Sequence, residues 1–355
     1  MPLTGVIVLA DIGAHPCSRS GTSISALEHV ANRPIAHHVL EGLRSAGVSD
    51  ALLVGHEQPL AAVRDSLAGH ARALGLGLAF APHASSGQVG DGLKATARVL
   101  GPAPCIVHLA NGMLDAPVTP LPRQFRVESP DLVVFVGQGA PAGERLSDAT
   151  KRLLGISELD PTNAPFGMAG VCVFGAGALL RSAEAQWRDG DAFDLTEVAE
   201  CLGGAGGRVR VSVAPAWHRY HGDAGDLLEL NRIALDRLGP DLHQVRNNGN
   251  RIEGRVLIDE TAEITSSVLI GPSVIGPGAR ISEACIGPYT SIGPRVRIEG
   301  AEIERSIIAA GASVMHVGGR MAASVVGRDA RVFRDFSLPR AMKLRVGDGN
   351  EVGLC

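Results

Sequence analysis

An imidazole, a thiol, a hydroxyl and a guanidinium stand close together in one short stretch, at His15, Cys17, Ser18 and Arg19, and His83, His108, Asn111, Tyr220 and His221 follow farther along. Gathered around an open pocket, such side chains suffice for acid–base or nucleophilic work: a histidine moves protons near neutral pH, and a thiol beside a base becomes a nucleophile. A single Cys or His in a loop is more often inert, so the reading depends on the elements that carry them.

The first group is carried by residues 5–35, GVIVLADIGAHPCSRSGTSISALEHVANRPI. Its apolar run at 6–10 gives way to Asp, Gly, His, Pro and Ser, the pattern of a buried strand emptying into a loop. Open α/β sheets bind ligands at such strand ends. Ile35, Val39, Leu40 and Leu43 then recur at helical spacing with Gly47 as the stop, so Val30-Ala31-Asn32-Arg33-Pro34-Ile35 is expected to lead straight into a helix. Strands are predicted at 51–54, 76–81, 105–109, 131–136, 151–158, 170–174 and 209–213, with helices at 59–74, 92–100, 176–183 and 226–238. That alternation predicts a doubly wound α/β domain over 1–240. GGAGG at 203–207 reads as a turn.

After Asn250 the period changes. Ile252, Ile258, Ile264, Ile270, Ile275, Ile281, Ile286, Ile292, Ile298, Ile303, Ile308 and Val314 return every five or six residues, many followed by glycine. This is the hexapeptide repeat of a left-handed parallel β-helix, each short strand contributing one inward aliphatic. It predicts a second domain over 250–335 and a tail over 336–355. His316 is read as a surface or packing residue rather than an acyl-transfer base.

Taken together, ANRPI, the repeats from RIEGRVLIDE onward, the helix Leu227-Leu228-Glu229-Leu230-Asn231-Arg232 and the closing segment Leu344-Arg345-Val346-Gly347-Asp348-Gly349-Asn350 resemble the sugar-1-phosphate nucleotidylyltransferases, in particular the long-form glucose-1-phosphate thymidylyltransferases. The resemblance covers nearly the whole chain and implies a Rossmann-like mixed sheet of the nucleotide-diphospho-sugar transferase type, followed by the β-helix. It also shows departures. Asp11, Ile12, Gly13, Ala14, His15, Pro16 and Cys17 stand where the family has Gly-Gly-x-Gly-Thr-Arg-Leu, and Ser25 stands at the following lysine. Side chains at 11 and 12 would block backbone N–H groups from a triphosphate, and Asp11 would repel it.

The family holds Mg2+ between two carboxylates, the cation taking up negative charge as the nucleotidyl group is transferred. Asn111 replaces the first, which the family carries in Leu-Gly-Asp-Asn. Tyr220, or Arg219 by the alternative count, replaces the second, with Gly222 kept and Asp223 nearby as a weak metal candidate. The sugar side is better preserved. Asp194, Thr196 and Glu197 match a segment that contacts the hexose, with helix capping as the alternative role for Asp194 and Thr196. Glu158 heads Glu158-Leu159-Asp160-Pro161, which resembles the family's Glu-Lys-Pro without its lysine, and Gly167 and Gly170 fit the segment that follows. Gly90-Asp91-Gly92 is read as a plain loop.

The net charge of −4 and pI near 6.3 give no electrostatic reason to expect nucleic acid or a membrane surface, and no apolar stretch reaches membrane-spanning length. With neither a secretory pattern nor C-x-x-C spacing among the cysteines at 17, 105, 172, 201, 285 and 355, a cytoplasmic protein with buried or free thiols is expected. The leading expectation is a homologue lacking ordinary transfer, with Gly13, Asn111, Glu158, Asp194, Thr196 and Tyr220 facing a sugar phosphate or nucleotide sugar and no cofactor. It would act as a non-catalytic or regulatory subunit, in a homo-oligomer or beside an active paralogue. The alternative is an active enzyme of the same fold with a rebuilt site, using His15, Cys17 or Arg19, and Mg2+ in that case alone.

Overall fold

Two compact units divide the chain, one made of residues 1–12, 24–27 and 35–219 and the other of 13–23, 28–34 and 220–355. The computed structural model describes residues 3–9, 24–83, 89–115, 125, 129–138, 145–155, 166–184, 195–214, 217–239, 249–334 and 336. His15, Cys17, Arg19, Gly13, Glu158 and Asp194 lie outside the described residues.

The first unit is built on a seven-stranded sheet in the order β10 (Val209–Val213), β8 (Leu132–Gln138), β9 (Phe166–Phe174), β6 (Cys105–Leu109), β1 (Thr4–Val8), β4 (Asp50–His56), β5 (Gly77–His83). Strand β9 runs antiparallel to both neighbours, and the other adjacent pairs are parallel. From β1 the chain builds outward through β4 and β5 and then returns to place β6 on the other side of β1. The order therefore reverses between β1 and β6, and the carboxyl ends of those strands flank the crevice where such sheets take ligands.

Alternation along β1 sends successive side chains to opposite faces. On one face Leu43 of α1 (Ile35–Ser45) and Val48 close over Gly5, where an added Cβ would meet each at 3.0 Å. On the other, Gly92 of α3 (Val89–Leu100) lies so near Val8 that a Cβ would come within 2.7 Å of its Cγ1. Val6, Val8, Leu52, Val54, Leu93, Val107, Val134, Cys172 and Phe174 form the core on this second face. Burying each large aliphatic stabilises the fold by roughly 1.5–3 kcal/mol. Helix α2 (Glu57–Ala73) packs on β4 and β5.

Two sequence expectations need correction here. Gly90-Asp91-Gly92 is the first turn of α3 rather than a loop, because Val89 and Leu93 anchor that turn in the core. Residues 151–153, expected in a strand, end α4 (Asp148–Leu153), whose N-terminus is capped by Ser147 Oγ accepting from Thr150 N at 3.1 Å. An apolar run beginning with Lys-Arg was misread as extended, when Ser147 three residues before Thr150 was the stronger signal. The segment Val30-Ala31-Asn32-Arg33-Pro34 leads into α1 at Ile35 as expected. On the way it folds as an antiparallel hairpin, β2 (His29–Val30) with β3 (Arg33–Pro34), in the second unit. Its two turn residues take positive φ, 46° at Ala31 and 63° at Asn32, the geometry of a tight primed turn.

The rest of the second unit is a left-handed parallel β-helix with α7 (Ala224–Asp236). Three five-stranded parallel sheets form its walls. The first holds β12 (Arg251–Glu253), β15 (Val268–Ile270), β18 (Cys285–Ile286), β21 (Glu302–Glu304) and β24 (Arg320–Ala322). The second holds β13 (Val256–Ile258), β16 (Ser273–Ile275), β19 (Thr290–Ile292), β22 (Ile307–Ile308) and β25 (Val325–Val326). The third holds β14 (Glu263–Thr265), β17 (Arg280–Ser282), β20 (Arg297–Glu299), β23 (Ser313–Met315) and β26 (Arg331–Phe333).

Register stacks like on like: Ile258, Ile275, Ile292, Ile308 and Val326 down one column, and Ile264, Ile281, Ile298, Val314 and Val332 down another. In the third column the inward residue is Leu269 rather than the expected Ile270, and Ile252, in register with Leu269, is 39% exposed because β12 is the first strand of its sheet. Side chain to backbone bonds join neighbouring coils across 17 residues, as from Gly278 N to Thr261 Oγ1 and from Ala284 N to Ser267 Oγ.

Val274, Ser291 and Ile307 point outward from the second sheet yet are buried, whereas Leu257 and Val325 at its two ends are exposed. Hairpin and α7 lie along that middle stretch. Arg255 Nη1 donates to Asp236 O at 2.7 Å and Leu238 O at 2.8 Å, satisfying carbonyls at the end of α7.

Candidate functional site

At the reversal point of the first unit, Ala110 N donates to Val8 O at 2.9 Å and draws the end of β6 tight against β1. The next residue, Asn111, is 1% exposed, and among the described residues neither Oδ1 nor Nδ2 has a hydrogen-bond partner. Buried amides are almost always bonded, so an unsatisfied one at a strand end beside the crevice stands out.

The walls beside it come from β7 (Gly112–Leu114) and β11 (Trp217–Arg219), paired antiparallel with Trp217 opposite Leu114 and Arg219 opposite Gly112. The Trp217 indole lies across Gly112 and Gly170. A Cβ at Gly112 would come within 2.5 Å of the ring, and one at Gly170 would run into it. Both glycines are there because the indole takes the space of a side chain. His108 meets Trp217 edge-on, centroids 5.5 Å apart, and its Nδ1 donates to Leu109 O at 2.7 Å. Next to this, His218 Nε2 lies 3.7 Å from Asp115 Oδ1. What results is a closely packed aromatic and imidazole cluster on β6, which leads to Asn111, and on β11, the partner of the strand that follows it.

Several of the other candidates make local bonds. Tyr220, in the second unit, is 5% exposed and counts among the buried core residues. Gly222 has φ of 99°, and Asp223 follows as the N-cap of α7, Oδ1 accepting from Gly225 N at 2.5 Å. Asp226 Oδ2 accepts from His221 N at 2.8 Å and pairs with His221 Nδ1 at 3.1 Å. Thr196 sits half-buried inside the first turn of α6 (Leu195–Gly204), past the capping position, with Glu197 beside it. His316 is exposed, its Nε2 3.4 Å from Glu299 Oε1 and its ring edge-on to Phe336. Among the described residues no group of three His, Cys, Asp or Glu side chains could hold a metal ion, and no helix is long and apolar enough to cross a membrane.

Cysteine positions agree with buried, unreactive thiols for Cys105 and Cys172. Burial pushes the Cys105 thiol up to about 12, and burial and then the neighbouring Cys105 push Cys172 up as well. Sequence reading missed Asn231. It lies on the same helical face as Leu227, Leu230 and Ala234, and that spacing was the available sign of its burial.

No protein-family model matches the chain. It is 29% identical over 337 residues to a glucose-1-phosphate thymidylyltransferase of Streptomyces griseus, covering 92% of each chain. A glucose-1-phosphate thymidylyltransferase of Streptomyces antibioticus is 28% identical over 342 residues, 93% of this chain and 94% of that one. The low-salt glycan biosynthesis nucleotidyltransferase Agl11 of Haloferax volcanii is 24% identical over 372 residues, 99% of this chain and 100% of the other. In three dimensions the chain is similar to a Bacillus anthracis structure, described as a glucose-1-phosphate thymidylyltransferase in complex with sucrose, with a TM-score of 0.54 and 13% identity over 69% of this chain and 98% of that one. That last likeness speaks for the fold.

Proposed function

For a chain that belongs to the sugar-1-phosphate nucleotidyltransferase family, we propose a degenerate member that binds a sugar phosphate or nucleotide sugar and does not perform ordinary transfer from a nucleoside triphosphate. It acts as a non-catalytic or regulatory subunit, assembled with further copies of itself or with an active paralogue, in the cytoplasm. Asn111 carries this reading. By the resemblance it stands where relatives place a metal carboxylate, and a buried neutral amide with both ends unbonded suits hydroxyl groups better than a divalent cation, which it would meet without countercharge.

The residues do not fit Mg2+. Asp223, beside the second metal position, is engaged in capping α7, Asp226 is paired with His221, and Asn111 brings no charge. At Asp11, Ile12 and Ser25 the sequence also lacks the glycines and the lysine of the phosphate site. Losing one preorganised electrostatic donor typically lowers a rate by about a hundred- to a thousand-fold, so several losses leave little of the reaction.

The test follows pyrophosphate from glucose 1-phosphate, each nucleoside triphosphate and Mg2+. The expected result is release no faster than without protein; steady turnover would reject the proposal and favour an active enzyme with a rebuilt site. Thermal shift is the companion measurement, since a ligand that binds the native state raises its apparent stability. Sugar phosphates and nucleotide sugars are expected to raise the melting temperature more than free triphosphates, and added Mg2+ to make no difference.

A further inference from the structure

The hairpin between β1 and α1 is built into the same compact unit as the β-helix, although the chain on both sides of it belongs to the first unit. Its attachment runs through two asparagines. Asn231 of α7 is 0% exposed and makes three bonds: Oδ1 accepts from Ala31 N at 2.8 Å and from Ser291 Oγ at 2.6 Å, and Nδ2 donates to Tyr289 O at 3.1 Å. Asn32 Nδ2 donates to Ile292 O at 2.6 Å. One amide thus joins the hairpin turn, the helix and a coil of the β-helix, and a second ties the turn to the next residue of that coil.

We propose that Asn231 and Asn32 form a clasp through which the β-helix positions the N-terminal hairpin, and with it the segment leading into α1. Nothing in this depends on which ligand is bound. Both asparagines are positioning residues, acting through the hairpin backbone rather than on a substrate. Ala31 N would otherwise be a buried donor without a partner, and the positive φ of the turn is held by these bonds and not by glycine.

Hydrogen exchange on the full-length protein without ligand tests the clasp. Asn32→Gly keeps the turn geometry and removes one bond; Asn231→Ala removes three. In both variants, peptides within 24–34 are expected to exchange about tenfold faster, the worth of a buried hydrogen bond. Peptides from β4, β6, β17 and β20 should keep their wild-type rates. Unchanged exchange at 24–34 in Asn32→Gly overturns the proposal, as does acceleration spread evenly over the β-helix coils. Asn231→Asp separates a bonding role from a packing one. Burial raises the pKa of an acid at this position, so below that raised pKa its O–H still donates to Tyr289 O and hairpin protection persists. Above it the carboxylate still accepts from Ala31 N and Ser291 Oγ and gives up only the bond to Tyr289 O, so protection at 24–34 should persist at every pH, whereas an Asp variant that behaves like Ala counts against the clasp.

Discussion

Asn111 is sealed from water with neither end of its amide bonded, a state that costs about 1–3 kcal/mol for each unmet polar group. Replacing it with leucine, which has similar volume and no polar atoms, is expected to raise stability by about 1 kcal/mol and to abolish the thermal shift produced by sugar phosphates. Chemical denaturation at unchanged slope measures the first effect, and the ligand screen the second. A loss of stability instead would mean that the amide is satisfied in solution. Cys105 makes a separate prediction. Its thiol is raised from 9.0 to about 12 in the folded protein, so its contribution is whole below pH 9 and is lost as pH climbs towards 12, where only the unfolded chain gives up the proton. Cys105→Ala should flatten the fall in stability over that range, and Cys105 in the native protein should stay unlabelled by thiol reagents at pH 8.

Gly170 of β9, set against the indole of β11, is a close contact between those two elements. Gly170→Ala puts a methyl group into the ring and is expected to cost about 1–3 kcal/mol as the indole is displaced. In a Trp187→Phe background the emission of Trp217 should shift to the red; an unmoved spectrum would show that the wall is not packed as described. Periodicity made elements with a strong apolar pattern legible from the sequence: 105–109 was placed to the residue as β6, and α1 began at Ile35. Less legible were elements set by a few polar bonds. Helix α4 depends on one serine cap, and the hairpin at 29–34 depends on amides 200 and 260 residues away. The site was legible in part for the same reason. Asn111 could be located by its strand, while the glycine floor beneath Trp217 comes from two segments, at Gly112 and Gly170, with no local signal in common.

At the scale of the molecule, the repeat declared itself because every coil buries the same kind of side chain, and its one misplaced column, Leu269 for Ile270, is a slip of a single residue at a corner. The first unit is less periodic, and its reversal of strand order is visible only once the strands are paired. That difference extends to how the chain is made. Residues 28–34 leave the ribosome early, but the groups that hold them, on Asn231, Ser291 and Ile292, are translated far later, the longest separation being 260 residues. At about 5–20 residues per second the nascent hairpin waits on the order of 10–50 s for its partners. The hairpin near the start of the chain is therefore completed only once the coil that carries Ile292 has been made.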